Sequence, residues 1–157
     1  MTRAQPVTVV VAVVGAGARE LIVALAQRSP DVHVVGVASD PDSAREQVRR
    51  QRPDAIVMDP DIALLGGSPD IGLIRAACPS TAIVVRSSDE ELAWPVVAGG
   101  ADAWVGTAAD WETIVDTLHL LIRRPTSHRS GARRVTSRLG SRRRSRGATP
   151  RGVRGGG

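Results

Sequence analysis

The chain has one cysteine and no lysine, phenylalanine or tyrosine among its 157 residues. A lone thiol, Cys78, supports neither an internal disulfide nor a multi-cysteine metal centre. At the end of a predicted helix it reads as a small apolar filler. Any mechanism that needs an ε-amino group is closed. The reliance on Arg, Ala, Gly and Val is that of GC-rich codons and is not itself a functional signal. Two regional absences say more: no Asp or Glu precedes Glu20, and none follows Asp116. No apolar run approaches the ~18–20 residues of a membrane-crossing helix. The start of the chain does imitate an export signal, with Arg3, an apolar run at 7–14 and then Ala16-Gly17-Ala18. Cleavage there would delete the first strand of a repeating pattern, so a cytoplasmic protein with no membrane contact is expected.

Charge divides the chain. The first 122 residues hold nine arginines against sixteen acids, a net −7, whereas residues 123–157 hold twelve arginines and no acid. The formal +5 therefore averages an acidic globular part at 7–122 and a basic appendage at 123–157. The appendage is mostly Arg, Ser, Gly, Thr and Pro. It cannot bury enough apolar surface to offset the entropy of ordering, and a disordered tail is expected. Its clusters, Arg133-Arg134 and Arg142, Arg143, Arg144 and Arg146, suit phosphate groups of nucleic acid. With no aromatic residue to stack, such binding would be weak, salt-sensitive and blind to sequence. The alternative is a solvated extension without function.

Before the tail, β-branched runs and helical spacings alternate. Strands are expected at 7–14, 33–38, 55–58, 81–86 and 103–105, and helices at 18–28, 41–51, 70–77, 89–98 and 110–122. Asp40-Pro41 suits the start of the second helix. Five strands in strict β-α alternation, each read as buried on both faces, imply an α/β fold: a five-stranded parallel sheet, doubly wound as (βα)5. Sites in such folds form at the carboxyl ends of strands, which selects residues 15–18, 39–40, 59–61, 87–89 and 106–108.

Three of those places carry recognisable segments. Pro53-Asp54-Ala55-Ile56-Val57-Met58-Asp59 resembles the approach to the phosphorylated aspartate of bacterial response-regulator receiver (CheY-like) domains. Pro79 to Ser88 resembles their fourth strand, which ends in a phosphoryl-contacting Ser or Thr. Gly99-Gly100-Ala101-Asp102-Ala103-Trp104-Val105 resembles their fifth. The order and spacing agree over about 115 residues. The resemblance implies a flavodoxin-like receiver fold and a role in two-component (phosphorelay) signalling.

Carried over residue by residue, it makes Asp59 the phosphoacceptor-like residue, Ser87 the phosphoryl-contact hydroxyl and Trp104 the switch aromatic. The family's lysine is replaced by Thr107, a second phosphoryl-contact candidate. Its acidic pair falls on Val13 and Val14, and the usual Met-Pro after the acceptor is Ile62-Ala63. The family's magnesium needs hard oxygen ligands. Asp61 offers only a main-chain carbonyl, so no metal and no cofactor are expected. Without metal and lysine the phosphoryl transition state loses its electrostatic stabilisation. Asp59 is then expected as a strand-end carboxylate bonded to Ser87 or Thr107.

The expected function is that of a stand-alone, phosphorylation-independent receiver. It would not be an enzyme. It would act through a protein partner or a homodimer at the face of the fourth and fifth strands. One rival rests on Gly15-Ala16-Gly17-Ala18-Arg19-Glu20 with Asp40 about twenty residues on, which resembles a dinucleotide-binding fingerprint. There Glu20 stands where the third glycine belongs. His33, His119 and His128 are scattered, and Trp94, Trp104 and Trp111 read first as packing residues.

Overall fold

The structure is a computed structural model that describes residues 5–63 and 71–122. The tail at 123–157, with all six of its singled-out arginines, lies outside the described residues. The chain runs β1 (Val7–Ala12), α1 (Ala16–Gln27), β2 (Val32–Ala38), α2 (Pro41–Gln51), β3 (Ala55–Met58), α3 (Pro60–Ala63), α4 (Ile71–Ala77), β4 (Ala82–Ser87), α5 (Ala93–Ala98), β5 (Ala103–Gly106) and α6 (Trp111–Ile122). The strands form one parallel sheet in the order β2-β1-β3-β4-β5. That is the flavodoxin-like order, with its topological switch between β1 and β3. Asp59 stands at that switch. The described sheet has no second mononucleotide-binding half, which does not favour the dinucleotide reading of Gly15–Glu20 and Asp40.

Alternation along the strands feeds two cores. Val9, Val11, Val57, Val84 and Val105 pack with Ile22 of α1 and with Ile114 and Leu118 of α6. Val10, Ile56, Met58, Ile83 and Val85 pack with Val48 of α2, Ile74 of α4 and Val96 of α5 on the other face. β1, β3 and β4 are buried almost throughout. The edge strands are not, which corrects the expectation that every strand is covered on both faces. In β2, His33 and Val37 are exposed, and β5 alternates buried and half-buried residues. A valine-rich run reports a strand but does not report whether that strand has a neighbour on both sides.

Polar clamps fix the amino ends of the strands, away from the site. Asp54 accepts from both the amide and the hydroxyl of Thr8, at 2.9 and 3.0 Å. The buried Thr81 hydroxyl donates to the Pro53 carbonyl at 2.8 Å. Asp102 accepts from the Ile83 amide at 2.8 Å and from Arg75 at 2.7 Å. Arg75 also donates to the carbonyls of Thr81 and Gly100, tying α4 to β4 and to the turn before β5. Gly100 has φ of 113°, a conformation that requires glycine in that turn. Cys78 is buried behind α4, as the filler reading expected.

Besides shifts of one or two residues at several ends, three differences from expectation stand out. β1 ends at Ala12, so Val13 and Val14 belong to the β1–α1 loop. The helix expected at 89–98 opens as a 3-10 turn over Glu90–Leu92 before α5. Pro95 has no N–H for the carbonyl four residues back, which weakens α-helical continuity there. The third difference is α3, an additional turn of helix directly after Asp59.

Candidate functional site at the carboxyl end of β3

Asp59 follows the four fully buried residues of β3 and is itself half-buried. Its main-chain amide donates to Ala12 O at 3.2 Å, so it continues the β1–β3 ladder by one step. Its carboxylate bridges two loops. Oδ2 accepts from the Val14 amide at 2.8 Å, and Oδ1 accepts from the Ile62 amide at 3.2 Å. The second bond makes Asp59 an N-cap for α3, with Pro60 at the first helical position. The expected bond from Asp59 to Ser87 or Thr107 is not what forms. Main-chain donors lie closer, because Pro60 starts a helical turn and the β1–α1 loop folds over the carboxylate.

Val13 is buried among the α1/α6 core residues, while Val14 is 45% exposed. The two positions of the missing acidic pair are thus one packing residue and one residue that serves through its amide. Arg19, on the first turn of α1, closes the loop from above. Its Nη1 donates to Val13 O at 2.8 Å and to Val14 O at 3.2 Å. A guanidinium lies two hydrogen bonds from Asp59, in the loop where the family pattern has acids. Nothing in the composition pointed to Arg19; the only signal was its place four residues after Gly15, one turn into a helix.

Ser87, the last residue of β4, is buried. Its Oγ accepts from the Asp89 amide at 3.0 Å, and its carbonyl accepts from the Thr107 amide at 3.2 Å. Ser87 is in register with Gly106, which sets exposed Thr107 one residue beyond the sheet. Trp104 is half-buried against the α2/α4/α5 core. Its Cη2 lies 3.7 Å from where a Cβ on Gly106 would stand, so the indole folds back along β5 toward the site end. Trp104 Nε1 is buried without a hydrogen-bond partner.

The receiver resemblance implies a divalent cation here, and the donor set does not fit one. Both Asp59 oxygens already accept N–H bonds, Val13 and Val14 bring no side-chain oxygen, and Asp61 is exposed on α3. Among the described residues no group of three or more His, Cys, Asp or Glu converges. A hard cation usually takes one or two carboxylates with water and phosphate. Here the two lone pairs that Asp59 keeps beyond its bonds to Val14 and Ile62 have no side-chain oxygen from positions 13 and 14 to share a cation with.

No protein-family model matches the chain. Among curated proteins it is 34% identical over 86 residues to a protein-glutamate methylesterase/protein-glutamine glutaminase of Anaeromyxobacter dehalogenans, covering 55% of this chain and 24% of that protein. A second such protein of that organism is 33% identical over 132 residues, covering 73% of this chain. The chain spans 24% and 39% of the length of these two relatives. Among solved structures, the response regulator domain of Thermotoga maritima CheB superposes with a TM-score of 0.66 at 21% identity, covering 76% of this chain and 98% of that one. The signal receiver domain of the response regulator NarL from Mycobacterium tuberculosis gives 0.64 at 23% identity, covering 77% and 100%.

Proposed function

Because this chain carries a domain of the response-regulator receiver type, we propose that it serves two-component signalling as a protein-binding module whose Asp59 is not phosphorylated. One observation carries this reading: both carboxylate oxygens of Asp59 accept main-chain N–H bonds, from Val14 and Ile62. Each oxygen keeps a second lone pair beside its N–H bond; what attack lacks in this reading is the metal and the lysine that would take up the charge of the incoming phosphoryl group. Asp59 instead holds the β1–α1 loop against the start of α3. The folded unit is residues 7–122. Its activity in this reading is recognition; it spans only 24% and 39% of the relatives named for methylesterase and glutaminase activities.

The face of β4, β5 and α5 is where the partner docks in this reading. Trp94 is 63% exposed on α5, and Trp104 is half-buried on β5 beneath that helix. An exposed indole is an apolar anchor of the kind enriched at interfaces. The partner is a protein or a second copy of the chain. The test is a titration of the full chain with magnesium and then with a beryllofluoride phosphoryl mimic, followed by amide resonances. The resonances of Val14, Asp59, Ile62 and Ser87 stay in place. Saturable shifts at those four would overturn the reading.

A further inference from the structure

A groove of about 460 Å³ runs between the end of α1 and the start of α6, on the face opposite Trp104. Its apolar part is Leu25, Trp111 and Val115, and its carboxylates are Asp31, Glu112 and Asp116. Arg28 is the one cation in the lining. Glu112 and Asp116 stand four residues apart on α6, where like charges repel. The ion pairs formed among the described residues, Arg45–Asp42, Arg49–Glu46 and Arg75–Asp102, leave all three groove carboxylates out. Trp111 is half-buried, and its Nε1 is buried with no hydrogen-bond partner.

These features ask for an occupant with a definite chemistry. It must bring positive charge and a planar group that stacks on an indole. A guanidinium meets both needs. An extended arginine-rich peptide supplies several. Such a peptide is part of this chain: residues 133–146 contain seven arginines, the clusters Arg133-Arg134 and Arg142, Arg143, Arg144 and Arg146 with Arg138 between them, and no acid. The charges are complementary, −7 for residues 1–122 and +12 beyond them.

The reach is sufficient. From Ile122 back to Trp111, α6 rises about 17 Å at 1.5 Å per residue. Ile122 and Arg133 are eleven Cα–Cα steps apart, enough to extend ~36–40 Å. Tethering places the arginines at an effective concentration near the millimolar range, so weak contacts suffice. We propose that the α1/α6 groove is the docking site of the chain's own arginine-rich segment at 133–146. Docked there, the segment is withdrawn from external anions, and the domain gates whatever phosphate-bearing surface the tail would otherwise engage. This inference does not depend on whether Asp59 is phosphorylated.

The test uses three full-length chains: the natural one, one with Glu112→Gln and Asp116→Asn, and one with serine at the six arginine positions 133, 134, 142, 143, 144 and 146. The indole N–H resonances of Trp111 and Trp104 are followed in each, Trp104 serving as the control for folding. In the natural chain the Trp111 resonance lies away from its position in both variants. It moves to that common position at ~1 M salt, where the screening length falls to about 3 Å. The Trp104 resonance is the same in all three. A Trp111 resonance unaffected by the serine substitutions would overturn the proposal. So would a displacement that grows with protein concentration, which would assign the tail to a second copy. Binding of a short DNA duplex, read by anisotropy, is several-fold tighter for the Glu112→Gln, Asp116→Asn chain than for the natural one; equal binding would also overturn it.

Discussion

The amide of Val14 donates to Oδ2 of Asp59 at 2.8 Å, across the gap between the carboxyl ends of β1 and β3. A residue that the family pattern would make a metal-binding acid here has become an amide donor to the acceptor aspartate. The carboxylate that would attack a phosphoryl group is a structural acceptor, shared between the β1–α1 loop and the first turn of α3.

Asp59→Ala removes the side-chain acceptor of both amides, while the Ile62 amide keeps its 3.2 Å bond to the main-chain carbonyl at position 59; stability is expected to fall by about 1 kcal/mol, since solvent reaches the half-exposed site and replaces part of what is lost. Urea unfolding measures it. A receiver kept for phosphorylation alone would tolerate the change without loss, so an unaltered unfolding midpoint argues against the structural role.

Arg19→Gln removes the guanidinium from the carbonyls of Val13 and Val14. The expected result is faster hydrogen exchange at the Val14 amide, with exchange at Val57 and Val84 in the sheet centre unchanged. The global cost is about 1 kcal/mol or less for a partly exposed bond of this kind. Unaltered exchange at Val14 would show that the loop holds its shape without Arg19.

Asp102→Ala strips the acceptor from the Ile83 amide and the counter-charge from Arg75 at once. Leaving such a donor unpaired costs roughly 1–3 kcal/mol. The site end of the sheet is distant from this clamp, so the Val14 and Ile62 amide resonances are expected to stay in place while the thermal midpoint falls.

The helix caps set the acid sensitivity. Bonds from the amide and hydroxyl of Ser43 hold Asp40 below the usual aspartate range, and bonds from the hydroxyl and amide of Thr113 do the same for Asp110. A carboxylate whose pKa is lower folded than unfolded stabilises the fold above the unfolded value. That contribution is lost as pH falls through the folded one. Stability from these caps is therefore complete above about pH 4 and declines below it. The double variant Asp40→Asn, Asp110→Asn is expected to show a shallower fall of the thermal midpoint with acid; an identical slope would show that the caps are not the groups responsible.

Strand positions and the parallel α/β class were legible in the sequence, because β-branched runs and glycine-rich turns report local backbone choices directly; the order of strands in the sheet is not local and followed only from the resemblance. The partners of Asp59 were not legible. Asp59-Pro60 carries the same cap-and-proline signal as Asp40-Pro41, but an aspartate at that strand end also fits the phosphoacceptor pattern, and the local signal does not decide between the two. Arg19 was hidden for another reason: its acceptors are main-chain carbonyls, which have no sequence signature. The exposure of His33 and Val37 on β2 depends on which strand ends the sheet, and a valine-rich run is silent on that.

The central claim, that Asp59 is held as a structural acceptor and not as a phosphoacceptor, is tested most directly by intact-mass spectrometry of the full chain after incubation with acetyl phosphate and magnesium, beside an Asp59→Asn control. The account predicts one unmodified species in both samples at every time point. A species heavier by one phosphoryl group, formed in the natural chain, dependent on magnesium and absent from the control, would contradict it.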